Sequence, residues 1–221
     1  MRPDRAKTLA SLVTIAAALL LLYLSLHIAP PQFDPRPHEA LGGALAEETA
    51  KLLTGGGHLT LIMRDTASVQ NPATDAQLRG FLQRLKPARL AINATNLIKL
   101  DPLRLPRVPP GEFLQIIGKH SEGDVIVSLL GPPLLNPDQM VKLAEKGPRI
   151  LALCSGNLPR QVNLKELFDQ HALYLAIIDR PVPGPEPAPS SPGRAWFERY
   201  FQIITSANLN ELPPYPIAGA K

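Results

Sequence analysis

Asp124–Leu130 (DVIVSLL) decides the fold, together with Arg149–Leu153 (RILAL) a turn and a helix further on. DVIVSLL is a short, β-branched and nearly continuous apolar run, and so is RILAL. Between them, Asn136-Pro137-Asp138-Gln139 offers an Asn cap with Pro at the first helical position, and the helical stretch closes at Gly147. A strand with apolar residues on both faces, followed by a helix and a second such strand, calls for a parallel sheet covered on both sides.

The same unit repeats outward. Upstream, His58–Met63 (HLTLIM) reads as a strand. Thr74-Asp75-Ala76-Gln77 reads as a capping box before a helix carrying Leu78, Phe81, Leu82 and Leu85 on one face. Leu90–Asn93 (LAIN) reads as a short strand. A Pro-rich connection over 101–110 leads to a helix with Phe113, Leu114, Ile116 and Ile117. Downstream, Asn163-Leu164-Lys165-Glu166 caps a helix that precedes a fifth strand, Leu173–Ile178 (LYLAII). Five such strands alternating with helices predict an α/β fold. The expected architecture is a doubly wound parallel sheet with flanking helices and strand order 2-1-3-4-5.

The expected segments are 1–8, a cytosolic N-terminus; 9–29, a transmembrane anchor; 30–37, a Pro-rich extended spacer (PPQFDPRP); and 38–180, the α/β domain. Residues 181–193 (PVPGPEPAPSSPG) form a linker or surface loop, since six of the thirteen are Pro. Residues 194–221 form a C-terminal segment. It holds Trp196, Phe197, Tyr200 and Phe201, four of the chain's eleven aromatics, and Phe201–Thr205 (FQIIT) is a candidate sixth strand. Two readings stand for this cluster: burial against the sheet edge, or an exposed patch for a partner protein. The stretch Leu41–Leu53 is helical in pattern and stops at Gly55-Gly56-Gly57. The last ten residues read as a frayed tail.

Leu9–Ala29 is 21 residues without a charge, long enough as a helix to cross a bilayer core of about 30 Å. Pro30 and Pro31 stop it. A cleaved signal is the alternative, but the apolar run exceeds a usual signal core and His27 occupies the position where cleavage wants a small residue. Arg2, Arg5 and Lys7 precede the run, and only Arg36 follows it before Lys51. The positive-inside rule therefore puts the N-terminus in the cytosol and the domain outside, which in a Gram-negative bacterium is the periplasm. The first expected partner is thus the lipid bilayer, through residues 9–29.

Composition narrows the chemistry. The net charge is +4 over 23 basic and 19 acidic residues, with no Lys/Arg cluster interleaved with aromatics, so nucleic acid is not an expected partner. The five His are scattered and Cys154 is the one cysteine, which predicts neither a metal site nor a disulfide. No dinucleotide or phosphate-loop glycine motif points to a cofactor.

In an open α/β sheet, ligands bind beyond the carboxyl ends of the strands. The candidate ligand-binding residues there are Arg64, Asp65, Asn93, Asn96, Ser155, Asn157 and Asp179. The repeated pattern over roughly residues 58–179, above all DVIVSLLGPPLLNPDQMVKLAEKGPRILAL, resembles one lobe of a type I periplasmic binding protein. That resemblance implies the fold more than an activity, since those proteins clamp their ligand between two lobes.

A second, local resemblance lies in Cys154-Ser155-Gly156-Asn157-Leu158-Pro159-Arg160, C-x-G-N-x-x-R between a strand and a helix. It is similar to the phosphate loop of low-molecular-weight tyrosine phosphatases and related arsenate reductases. The resemblance implies a Cys154 nucleophile, an Arg160 anion clamp and Asp179 as acid. The sequence departs from that family: the loop follows the fourth strand, Gln161 replaces the Ser or Thr after the Arg, and Arg180 separates Asp179 from Pro181. The first reading is therefore a membrane-anchored extracytoplasmic module that binds an envelope protein or a small ligand. An enzyme using the Cys154 loop and a structural subunit of a membrane complex are the alternatives.

Overall fold

The computed structural model describes residues 3–27, 33–67, 70–100, 107–144, 147–180, 189, 191 and 193–212. The chain divides into two compact units, Met1–Asp34 and Pro35–Lys221.

The first unit holds one helix, α1 (Pro3–His27), 25 residues long. Leu9, Leu12, Val13, Ile15, Leu19, Leu20, Leu21, Leu22 and Tyr23 are each more than half exposed. Among the described residues no helix is long and apolar enough to cross a membrane. The described side chains of α1 end at Tyr23, short of the expected boundary at Ala29.

The second unit is a three-layer α/β sandwich. Its strands are β1 (Leu59–Arg64), β2 (Ala94–Ile98), β3 (Val125–Ser128), β4 (Arg149–Cys154), β5 (Leu175–Asp179) and β6 (Phe201–Ile204). The sheet order is β2-β1-β3-β4-β5-β6, with the first five strands parallel and β6 antiparallel to β5. The expected order 2-1-3-4-5 holds, and FQIIT supplies the sixth strand.

The alternation in DVIVSLL explains the layers. Val125, Val127 and Leu129 face a core with Leu41 and Leu45 of α2 (Arg36–Leu52), Phe81 and Leu85 of α3 (Pro72–Leu85), and Trp196 and Phe197 of α7 (Arg194–Tyr200). Ile126 and Leu130 face the other core, with Phe113, Ile116 and Ile117 of α4 (Pro110–Ile117), Met140 and Leu143 of α5 (Pro137–Ala144), and Leu164, Leu167 and Phe168 of α6 (Leu164–Asp169). Every residue of β3 is buried, as a central strand requires.

Helices α2 and α3 meet at two glycines. A Cβ on Gly42 would lie 1.9 Å from the Gln77 carbonyl oxygen, and one on Gly80 would lie 2.0 Å from that of Glu39. Only hydrogen at these positions lets the two backbones touch.

The caps at Asn136 and Asn163 form as expected: Asn136 accepts from the Gln139 N–H at 2.9 Å, and Asn163 from the Glu166 N–H at 3.2 Å. Three local expectations are corrected. Helix α3 starts at Pro72 instead of Thr74, because the Asn71 carboxamide accepts from both Ala73 and Thr74 N–H groups and Pro at the first turn forfeits no bond. Helix α2 starts at Arg36, inside the expected spacer, since Pro37 in the first turn is likewise tolerated. Strand β2 is Ala94–Ile98, not Leu90–Asn93: the apolar Leu90 and Ile92 pack under the sheet, while the ladder to β1 runs from Thr60↔Ala94 to Arg64↔Ile98. An edge strand needs backbone pairing on one side only, so its exposure is no bar. Most of the Pro-rich stretch 181–193 and nearly all of the expected tail lie outside the described residues.

Candidate functional site

At the carboxyl edge, β4 and β5 place Cys154, Ser155 and Asp179 together. Cys154 pairs with Ile178 in the ladder, one step before Asp179. Cys154 is fully buried, in the same core as Val162, Leu164 and Phe168. Burial, and then the neighbouring Asp179 charge, push its thiol pKa far up. Asp179 is half-buried, and its carboxylate accepts from the Gly156 N–H at 2.5 Å. Burial raises the Asp179 pKa above the ordinary carboxylate range, opposed by the Gly156 N–H and by the charge of His38 from α2.

The phosphate-loop geometry is absent among the described residues. Arg160 is exposed on a single 3₁₀ turn, Leu158–Arg160, and Asn157 before it is exposed as well. The N–H of Gly156 serves Asp179 instead of an anion at the thiol. A thiolate nucleophile needs the opposite environment, polar and electropositive.

The remaining candidates do not gather at this point. Arg64 ends β1 and Asp65 follows it, and three strand spacings of nearly 5 Å separate β1 from β5, about 14 Å in all. Asp65 is occupied locally, accepting from the Ala67 N–H at 3.0 Å. Asn93 sits at the opposite, amino edge, where its carboxamide accepts from the Leu59 N–H at 2.8 Å, and Asn96 lies inside β2 opposite Ile62. Both are corrections that follow from the shift of β2. Of the aromatic cluster, Trp196, Phe197 and Phe201 are buried, which decides for docking over an exposed patch.

Two concavities open elsewhere. A groove of about 560 Å³ runs between α2, α3 and α7, over a floor that includes Ala40, Gly43, Ala44 and Gly80. Its charges are satisfied internally: Glu47 contacts Arg84 at 2.5 Å and Arg194 at 3.9 Å, and the Arg36 guanidinium lies 4.4 Å from the Trp196 ring centroid. The second concavity, about 570 Å³, lies at the amino edge of β4 and β5 and includes Glu122, Arg149, His171, Tyr174 and Ser206. Sequence reasoning missed it, because the rule for open sheets points to the carboxyl edge and because nothing in the sequence set the direction of β6.

No family model matches the chain, and no curated protein matches it. Solved structures do match. An ABC-transporter solute-binding protein from Burkholderia graminis, in complex with D-arabinose, is 16% identical with a TM-score of 0.51, covering 79% of this chain and 62% of that one. A carbohydrate-transporter solute-binding protein from Agrobacterium radiobacter, also with D-arabinose, is 13% identical with a TM-score of 0.48, covering 79% and 61%. A glucose-galactose binding protein from Geobacillus stearothermophilus is 12% identical with a TM-score of 0.48, covering 78% and 61%. This chain thus spans about three-fifths of each neighbour's length. The likeness is one of fold: the six-stranded, mostly parallel sheet with flanking helices resembles the type I periplasmic-binding-protein architecture that residues 58–179 imply.

Proposed function

We propose that this chain is a binding module held outside the cytosol by an N-terminal membrane helix, taking a small ligand or a protein of the same envelope compartment. The observation that carries the binding reading is the state of Cys154. The one candidate nucleophile is buried among aliphatic side chains with its thiol pushed toward the protonated form, and Asp179 is bound to Gly156. That favours recognition over covalent chemistry, and a solute-binding-protein-like fold fits it.

The anchor rests on other grounds. Leu9–Ala29 carries no charge. Leucines at 9, 12, 19, 20, 21 and 22 are exposed around α1, and apolar surface costs about 25 cal/mol per Å² in water but nothing comparable in lipid. Arg2, Arg5 and Lys7 before the run favour a cytosolic N-terminus. On this reading residues 9–29 span the membrane, and 38–180 with 194–221 lie outside the cytosol, which in a Gram-negative bacterium is the periplasm.

Alkaline phosphatase fused to the C-terminus of the full chain should be active, and the protein should stay with the membrane through a carbonate wash. An inactive fusion, or release by carbonate, overturns the anchored topology. Hydrolysis of p-nitrophenyl phosphate that disappears in Cys154→Ser overturns the binding reading in favour of an enzyme.

A further inference from the structure

The antiparallel course of β6 builds a site at the edge where the parallel strands begin. Because β6 runs against β5, its exit at Thr205-Ser206 reaches the entry side of β4 and β5. Backbone bonds fix the neighbours. The Arg149 N–H donates to the Asp124 carbonyl at 3.0 Å, so Glu122, two residues earlier, stands beside the entry to β4. The Tyr174 N–H donates to the Ile150 carbonyl at 2.9 Å, which sets Tyr174 on the other flank of Arg149. These residues border the concavity of about 570 Å³, within the size range of small-molecule sites.

Its charges differ from those of the helical groove. Among the described residues, neither Glu122 nor Arg149 forms an ion pair. Arg149 spends one long bond of 3.4 Å on the Leu52 carbonyl, and its guanidinium lies 5.9 Å from the Tyr174 ring centroid. Tyr174 is itself 48% exposed. Glu122, in the turn before β3, and Arg149, at the start of β4, are opposite charges that border one cavity without pairing, and they complement a molecule carrying both charges at a matching separation. A simple anion or cation would meet one favourable and one repulsive group.

We propose that this cavity binds a small zwitterion, with its carboxylate on Arg149, its ammonium on Glu122 and its carbon frame against the Tyr174 ring. Ser206 and His171 add hydrogen-bonding groups at the rim. The proposal rests on the binding-module reading and names a site for it.

The test is calorimetric titration of the full chain in mild detergent with glycine, β-alanine, 4-aminobutanoate, 5-aminopentanoate and 6-aminohexanoate. Acetate and propylamine serve as single-charge controls. Heat should peak at one chain length, and both controls should bind at least about tenfold more weakly. Arg149→Gln and Glu122→Gln should each weaken the best member about tenfold or more without moving the melting temperature. Binding retained in both variants overturns this site while leaving the binding-module reading intact. So does affinity that is flat along the series. No binding by any member up to about 10 mM overturns the zwitterion assignment, whereas the binding-module reading fails only through the phosphatase assay above.

Discussion

The carboxylate of Asp179, at the end of β5, accepts the backbone N–H of Gly156, two residues beyond the end of β4, at 2.5 Å. The bond closes the loop that the C-x-G-N-x-x-R motif would need open, and it sets Asp179 near a thiol that burial, and then the Asp179 charge, push toward the protonated form.

Cys154 is therefore expected to behave as a small core residue. Iodoacetamide at about pH 6 should alkylate it slowly, with no protection by phosphate or vanadate. Cys154→Ala should cost about 1 kcal/mol, read from the chemical-denaturation midpoint, because little volume is removed. Rapid, oxyanion-protected alkylation would return the loop to the list of catalytic sites.

Val127 is fully buried at the centre of the sheet, with Leu61 on one side and Leu151 on the other. Val127→Asp would put an unpaired charge there, at a cost of several kcal/mol against a typical total of about 5–15 kcal/mol. The cooperative near-ultraviolet dichroism melt of the full chain, reported by Trp196, should vanish. A wild-type melt would show that β3 is not central.

Gly80→Ala separates helix propensity from packing. In an exposed helix this change stabilises by roughly 0.5–1 kcal/mol. Here the new methyl would overlap the Glu39 carbonyl, so the expected sign is reversed, a loss of about 1–3 kcal/mol as for other overpacked sites. A raised melting temperature would mean that α2 and α3 do not touch along this line.

Asp124 supplies the pH dependence. Burial alone would raise its pKa, but the Ser121 N–H at 2.9 Å, the His58 N–H at 2.8 Å and the His58 ring and Ser121 hydroxyl outweigh it, bringing the carboxyl from 3.8 to about 2. A carboxyl with a depressed folded-state pKa stabilises fully above its unfolded value. That stabilisation, about 2 kcal/mol, should be lost as pH falls from about 4 to about 2. Asp124→Asn should flatten the denaturation midpoint over this window. An unchanged slope would place the acid sensitivity elsewhere.

The apolar runs DVIVSLL and RILAL, with a capped helix between, made a layered, mostly parallel sheet legible in the sequence, and 2-1-3-4-5 was the order such a doubly wound fold led one to expect. Burial on both faces leaves a parallel strand no freedom in its residue types. The charge-free run beginning at Leu9 was equally legible as helix, which α1 carries as far as His27. Local signals failed where pairing partners decide: β2 is a mostly exposed edge strand, and only its register with β1 moves it past Asn93, carrying Asn93 and Asn96 away from the edge assigned to them. Cys154 reads the same in sequence whether reactive or inert, because its pKa depends on what surrounds it. The amino-edge cavity was hidden for the same reason. Glu122, Arg149, Tyr174 and Ser206 are spread over 85 positions, and only the ladder of β3–β6 and the reversal of β6 bring them to one rim.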